Sequence, residues 1–169
     1  FESLREMGAD LNADNERNAG SEPVADITAR TSALAGITLS AERAPTVIDE
    51  IPILAVAAAS ASGETRMEGL GELRVKESNR LTATALGLEA AGVPTWIDGD
   101  TLVVQGLGEA PPGGGGIAAP HDHRIAMAFL VMGLAAKRPM IVDGTETIDT
   151  SFPGFADLLA GLGTNLTEP

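Results

Sequence analysis

Arg74, Lys76 and Arg80, three of the chain's 11 lysines and arginines, stand with Glu77 in the stretch "ELRVKESNRL", residues 72–81. On a helix starting near Val75, Lys76 and Arg80 are four apart and Glu77 and Arg80 three apart, spacings that share one helix surface. Cations at a helix N-terminus oppose the macrodipole, which favours anions there. That placement points to an anionic ligand, and the free backbone N–H groups of a helix start would add to its site. The structural alternative is an exposed helix start laced with local ion pairs, each contributing roughly a few tenths of a kcal/mol.

Two further charged residues stand at the starts of apolar helices. Asp49 precedes the run Ile53–Ala59, and Arg124 precedes Ile125–Ala136. They are 75 positions apart. A charge entering an apolar element is costly unless paired or used. The alternative is a capping Asp49 and a solvated Arg124. His121, Asp122 and His123 invite a metal, but a lone His-Asp-His without further ligands at suitable spacing carries little weight, and capping or hydrogen bonding is the stronger reading.

The elements that position these residues follow from an internal repeat. "PTVIDEIPILAVAAASASGETRMEG", residues 45–69, aligns with "PHDHRIAMAFLVMGLAAKRPMIVDG", residues 120–144, so Pro45 matches Pro120 and Gly69 matches Gly144. Each copy reads as Pro, a polar helix start, an apolar helix, a short turn and a strand ending in Gly. A second helix follows each copy: Lys76–Ala91, with Leu81, Ala85 and Leu88 on one buried face and Gly92 as its C′ glycine, and Phe152–Leu162, ending at Gly163. Helix, glycine, strand recurs in "LREMGADL", "LEAAGVPTW" and "LAGLGTNL". Strands Pro94–Ile97 and Thr101–Val104 flank a "DGD" hairpin signal.

The unit is therefore β-α-β-α-β-β. Residues 1–35 form the end of one unit, 36–108 a complete one, and 117–169 most of a last one that lacks its final strand. "EAPPGGGG" lies between them, and residues 109–116 read as a flexible surface loop. No Gly-Lys-Ser/Thr follows the glycines, so a phosphate-cradling loop is not indicated.

Composition narrows the function. The chain has 169 residues, 44% of them hydrophobic, enough for a core. Its net charge of −13 argues against a nucleic-acid binder and gives no reason for binding an anionic membrane. With no cysteine, disulfides, thiolate metal sites and a cysteine nucleophile are excluded, and a reducing cytoplasm is compatible. The two apolar runs fall short of the ~20 residues of a membrane span and read as core helices. No signal peptide is visible, since Phe1–Arg5 already reads as part of an amphipathic helix, and the lack of an initiator Met points to a fragment or a processed chain.

The stretches "IDEIPILAVAAA" (48–59), "ELRVKESNRL" (72–81), "HDHRIAMAF" (121–129) and "TSFPGF" (150–155) together resemble 5-enolpyruvylshikimate-3-phosphate synthases, in the family's order. The resemblance implies an α/β (α+β) fold of repeated β-α-β-α-β-β units around a pseudo-threefold axis. It implies that this chain is an incomplete C-terminal domain, with the N-terminal domain absent and the active site between the two. Thr150 stands where many relatives have a Lys that reaches phosphoenolpyruvate, a pattern similar to the class II branch.

The implied reaction transfers the enolpyruvyl group of phosphoenolpyruvate to the 5-hydroxyl of shikimate 3-phosphate, without cofactor or metal. By motif matching, Asp49 contacts the shikimate hydroxyls and accepts a proton, and Lys76 lies by the reacting hydroxyl and the bridging oxygen. Arg80 and Arg124 bind phosphoenolpyruvate, Glu77 is the general acid for the methylene carbon, and His123 supports them from behind. The implied partners are the two substrates and the N-terminal domain of the same cytoplasmic enzyme, a monomer at full length, with no nucleic acid and no membrane. The chain alone is expected to be inactive. Two rivals remain at this stage: the UDP-N-acetylglucosamine enolpyruvyl transferase, and a non-catalytic anion-binding module on the same repeats.

Overall fold

Gly87 brings two helices together. A Cβ at this position would lie 2.1 Å from the Phe129 ring. Only glycine lets helix α4 (Arg80–Ala90) approach helix α5 (His123–Ala135) this closely, which outweighs glycine's cost of roughly 0.5–1 kcal/mol inside a helix. The structure, a computed structural model, describes residues 1–119 and 121–167. Pro120, the expected start of the second repeat, lies outside the described residues.

The chain opens with α1 (Glu2–Glu6), β1 (Asp10–Ala19) and β2 (Glu22–Arg30), the last two forming a separate antiparallel ribbon. The middle section runs β3 (Thr38–Leu39), α2 (Ala44–Val47), a 3₁₀ turn Ile48–Glu50, α3 (Ile51–Ser60) and β4 (Ser62–Met67). A second 3₁₀ turn (Gly71–Val75), α4, β5 (Thr95–Asp98) and β6 (Thr101–Leu107) complete it. This is the β-α-β-α-β-β order. The sheet order is β3-β4-β6-β5, with β3 parallel to β4 and the other pairs antiparallel. The last section holds β7 (Gly116–Ala118), α5, β8 (Ile141–Asp143), a 3₁₀ turn Thr145–Thr150 and α6 (Phe155–Gly161), with β7 parallel to β8.

Leu81 and Leu88 of α4 are fully buried and Ala85 nearly so, the face that helical spacing predicts. They join Ile51, Ala55, Met67, Leu102, Ile125 and Phe129 in one core spanning both repeats. At about 25 cal/mol per Å² of apolar surface, burial of such residues drives the packing of these helices together.

Four sequence expectations are corrected. The helix expected over Lys76–Ala91 begins only at Arg80. Asn79 is its N-cap, accepting the Thr82 N–H at 3.1 Å, while Lys76 is extended after the 3₁₀ turn. A side-chain cap fixes a helix start more firmly than propensity does. The helix expected over Phe152–Leu162 is shorter, because 3₁₀ turn Thr145–Thr150 and positive-φ Gly154 delay it to Phe155.

Residues 164–167 carry no strand after Gly163, for no neighbouring edge among the described residues pairs with them. Residues 109–116, read as a flexible surface loop, are packed: Pro111 and Gly113 are buried, and the Gly113 N–H donates to the Ala91 carbonyl at 3.0 Å. A Cβ on Gly115 would lie 2.2 Å from the Ala90 carbonyl oxygen, so close backbone approach explains the glycines, and Gly116 already belongs to β7.

Candidate active site

Arg80, the first residue of α4, points inward and is 1% exposed. A buried guanidinium is tolerated only when its donors and charge are matched. Here three carboxylates match it. Nε donates to Asp122 Oδ2 at 2.9 Å, Nη1 donates to Asp49 Oδ1 at 2.9 Å, and Nη2 donates to Glu77 Oε2. The exposed helix start with loose ion pairs is thus not what forms at Arg80.

Asp122 is fully buried and serves two elements at once. Its Oδ1 accepts the backbone N–H groups of Arg124 and Ile125 at 3.1 and 3.3 Å, capping α5. Its Oδ2 accepts the Ser78 hydroxyl at 2.7 Å along with Arg80 Nε. Burial by itself would raise the Asp122 carboxyl. The Ser78 hydroxyl, the Arg80 guanidinium and the Ile125 N–H outweigh it and hold the group below the usual aspartate range. Asp122 therefore ties the start of α4 to the start of α5. The capping read from His121-Asp122-His123 is present, and His123 stands partly buried as the first residue of α5.

Asp49 sits in the 3₁₀ turn ahead of α3 and does not cap that helix. The repeat partners meet in space: Arg124 Nη1 donates to the Asp49 carbonyl oxygen at 3.1 Å, and Arg124 Nη2 lies 3.8 Å from Asp49 Oδ2. Lys76 Nζ lies 3.6 Å from Asp49 Oδ1 and 2.5 Å from Glu72 Oε1. Glu72, helped by Asp49, holds the Lys76 ammonium above its usual range against the opposing effect of desolvation. One carboxylate, Asp49, is thus shared by Lys76, Arg80 and Arg124.

The fourth motif borders the same place. A cleft of about 220 Å³ is lined by Asp49, Glu50 and Arg124 together with Ile53, Met127 and Phe152. Phe152 and Phe155 stack edge to face at 5.3 Å. Thr150 turns away, its hydroxyl donating to the Thr147 carbonyl at 2.6 Å. A larger cleft of about 490 Å³ lies between α5, β8 and residues 163–166, and it holds none of the charged residues above. The smaller cleft borders the charged cluster through Asp49 and Arg124.

Asp49, Lys76, Glu77, Arg80 and Arg124 therefore form one linked cluster at the starts of three helices. Lys76 and Arg124 are partly exposed cations, Glu77 is a half-exposed carboxylate, and Arg80 is an inner anchor. Such a set can hold multiply charged anions and present a carboxylate to them. Sequence reasoning gave Asp122 only a local role and singled out neither Ser78, Glu50 nor Glu72. Asp before an apolar run is a capping signal. The reach from Asp122 to Arg80, 42 positions apart, leaves no local pattern.

The β-α-β-α-β-β unit and the part-unit after it place the chain in the enolpyruvyl transferase fold. The enolpyruvyl transferase NikO from Streptomyces tendae matches at TM-score 0.65 and 23% identity, over 100% of this chain and 36% of its own, a likeness of fold alone. The EPSP synthase from Acinetobacter baumannii matches at TM-score 0.89 and 43% identity, over 95% of this chain and 37% of its own.

The chain belongs to the family EPSP synthase (3-phosphoshikimate 1-carboxyvinyltransferase), which matches residues 1–159. The 3-phosphoshikimate 1-carboxyvinyltransferase of Paramagnetospirillum magneticum is 55% identical over 99% of this chain, and that of Rhodospirillum rubrum 58% identical over 96%. The chain spans 37% and 36% of the length of these two relatives. Among the described residues no helix is long and apolar enough to cross a membrane.

Proposed function

We propose that the protein carrying this chain transfers the enolpyruvyl group of phosphoenolpyruvate to the 5-hydroxyl of shikimate 3-phosphate and releases phosphate, a step toward chorismate and the aromatic amino acids. The observation that carries this reading is the convergence of three family-like motifs on one charged cluster at the starts of α3, α4 and α5. The rest of the enzyme supplies the other wall of the cleft. We place the enzyme in the cytoplasm, as a monomer.

The reaction proceeds by addition and then elimination. The hydroxyl oxygen attacks C2 of phosphoenolpyruvate and loses its proton to Asp49, while Glu77 protonates the methylene carbon. In the tetrahedral intermediate the new methyl group returns a proton to Glu77, and the C2–O bond to phosphate breaks. Lys76 steadies the bridging oxygen. Arg124 grips phosphoenolpyruvate, and Arg80 reaches it through Nη2, the edge that faces Glu77, because Asp122 keeps Nε in the core. His123 supports Arg124 from the neighbouring position.

Arg124→Lys in the full-length enzyme tests the assignment. Lys keeps the charge and loses the planar fork. One hydrogen bond to a charged group is worth roughly 1.5–3 kcal/mol, so phosphoenolpyruvate affinity should fall about ten- to hundredfold. Shikimate 3-phosphate affinity should change far less. Separate binding titrations decide it: unchanged phosphoenolpyruvate affinity, or equal losses for both ligands, would remove Arg124 from that role.

A further inference from the structure

The partly exposed cations of the cluster share a pattern of partners. Lys76 has one shared partner, Asp49, and one private partner, Glu72 at 2.5 Å. Arg124 likewise has Asp49 and a private partner, Glu50 at 3.7 Å. The private carboxylates are the most exposed of the five in the cluster: Glu72 at 57% and Glu50 at 60%, against 48% for Glu77, 39% for Asp49 and 0% for Asp122. Glu72 belongs to the 3₁₀ turn before Lys76, and Glu50 immediately precedes α3 without capping it. Neither is held by the core, so either side chain can swing into water without disturbing a buried contact.

We infer that Glu72 and Glu50 are exchangeable counter-ions, which an incoming anion displaces from Lys76 and Arg124, and that they set how much negative charge a ligand must carry to bind. This rests on the reading that Arg124 grips phosphoenolpyruvate and Lys76 steadies its bridging oxygen. Asp49 cannot serve in this way, since leaving would strip Arg80, Lys76 and Arg124 together. A ligand with a single charge merely replaces one carboxylate by another and gains little. A ligand carrying phosphate and carboxylate together meets both cations at once and displaces both counter-ions. The device thus selects a multiply charged small molecule, the class to which phosphoenolpyruvate belongs, over singly charged metabolites.

The test is a binding titration with phosphoenolpyruvate on the full-length protein as wild type, Glu72→Gln, Glu50→Gln and Lys76→Met. Exposed ion pairs of this kind compete only modestly, so Glu72→Gln should tighten binding about two- to fivefold. Glu50→Gln should tighten it less, because its pair is longer. Both gains should be largest at low ionic strength and shrink in high salt, where exposed pairs are screened in every variant. Lys76→Met should weaken binding. Unchanged or weaker affinity in both Gln variants, with Lys76→Met still weakening it, would overturn the counter-ion role and leave the functional reading standing. Unchanged affinity in Lys76→Met would overturn the assignment of Lys76 to the ligand, and the inference with it.

Discussion

Glu77→Gln in the full-length enzyme should lower kcat by about 10²–10⁴-fold, the usual worth of a general acid–base group, and should not weaken the binding of either substrate. The substitution is close to a pure test of proton transfer. Glu77 Oε2 accepts from Arg80 Nη2, and a Gln side-chain oxygen can accept the same bond. The side chain is 48% exposed, so no buried packing is lost. What Gln lacks is a titratable proton.

In the proposed mechanism Glu77 must carry its proton in the ternary complex, where bound substrates would draw on Arg80 Nη2 and exclude water. Steady-state kinetics with equilibrium titrations check this, and a variant keeping kcat within about threefold of wild type would take Glu77 out of the chemistry.

Part of the charged cluster was legible, and the contacts that hold it in place were not, for a physical reason. Asp49 and Arg124 could be paired because an internal repeat places them at equivalent helix starts, and they meet through Arg124 and the Asp49 carbonyl. The β-α-β-α-β-β order was legible because apolar periodicity and C′ glycines mark each element locally. The start of α4 was misplaced by four residues because "VKES" reads as helix, whereas the Asn79 cap decides where the helix begins. Glycines 113 and 115 looked like a linker because a sequence does not display the carbonyls of Arg138 and Ala90 that a Cβ would strike.

Arg80 illustrates the sharper limit. Its neighbours in sequence suggested an exposed cation, since Arg is almost never fully buried unless paired. Two of its three partners, Asp49 and Asp122, come from elements 31 and 42 positions away. Only the folded chain brings them to the guanidinium. Long-range charge pairing of this kind leaves no periodicity to read, whereas the core face of α4 does.

That buried pair should give the largest stability effect in the chain. Breaking a buried ion pair by removing one partner costs roughly 3–5 kcal/mol, because the other charge is left without its match. Asp122→Asn keeps the shape and one acceptor oxygen but removes the charge facing Arg80 Nε, and it weakens the cap on α5. For a domain of this size each kcal/mol moves Tm by about 2–4 °C, so a fall on the order of 10 °C is expected in the transition of this domain when the full-length enzyme unfolds and its domains melt separately.

The pH dependence separates this cause from simple mispacking. The native Asp122 carboxyl lies below its unfolded value of about 3.9, so its stabilising contribution is fully present above that value. It is lost as pH falls through the native one. The Asn variant has no such contribution to lose. The Tm gap between wild type and Asp122→Asn should therefore be constant from pH 7 down to about 5 and should narrow below about pH 4. A gap that stays the same down to the acid limit of folding would mean that the cost comes from packing, and that the Asp122–Arg80 charge pair contributes nothing to holding α4 and α5 together.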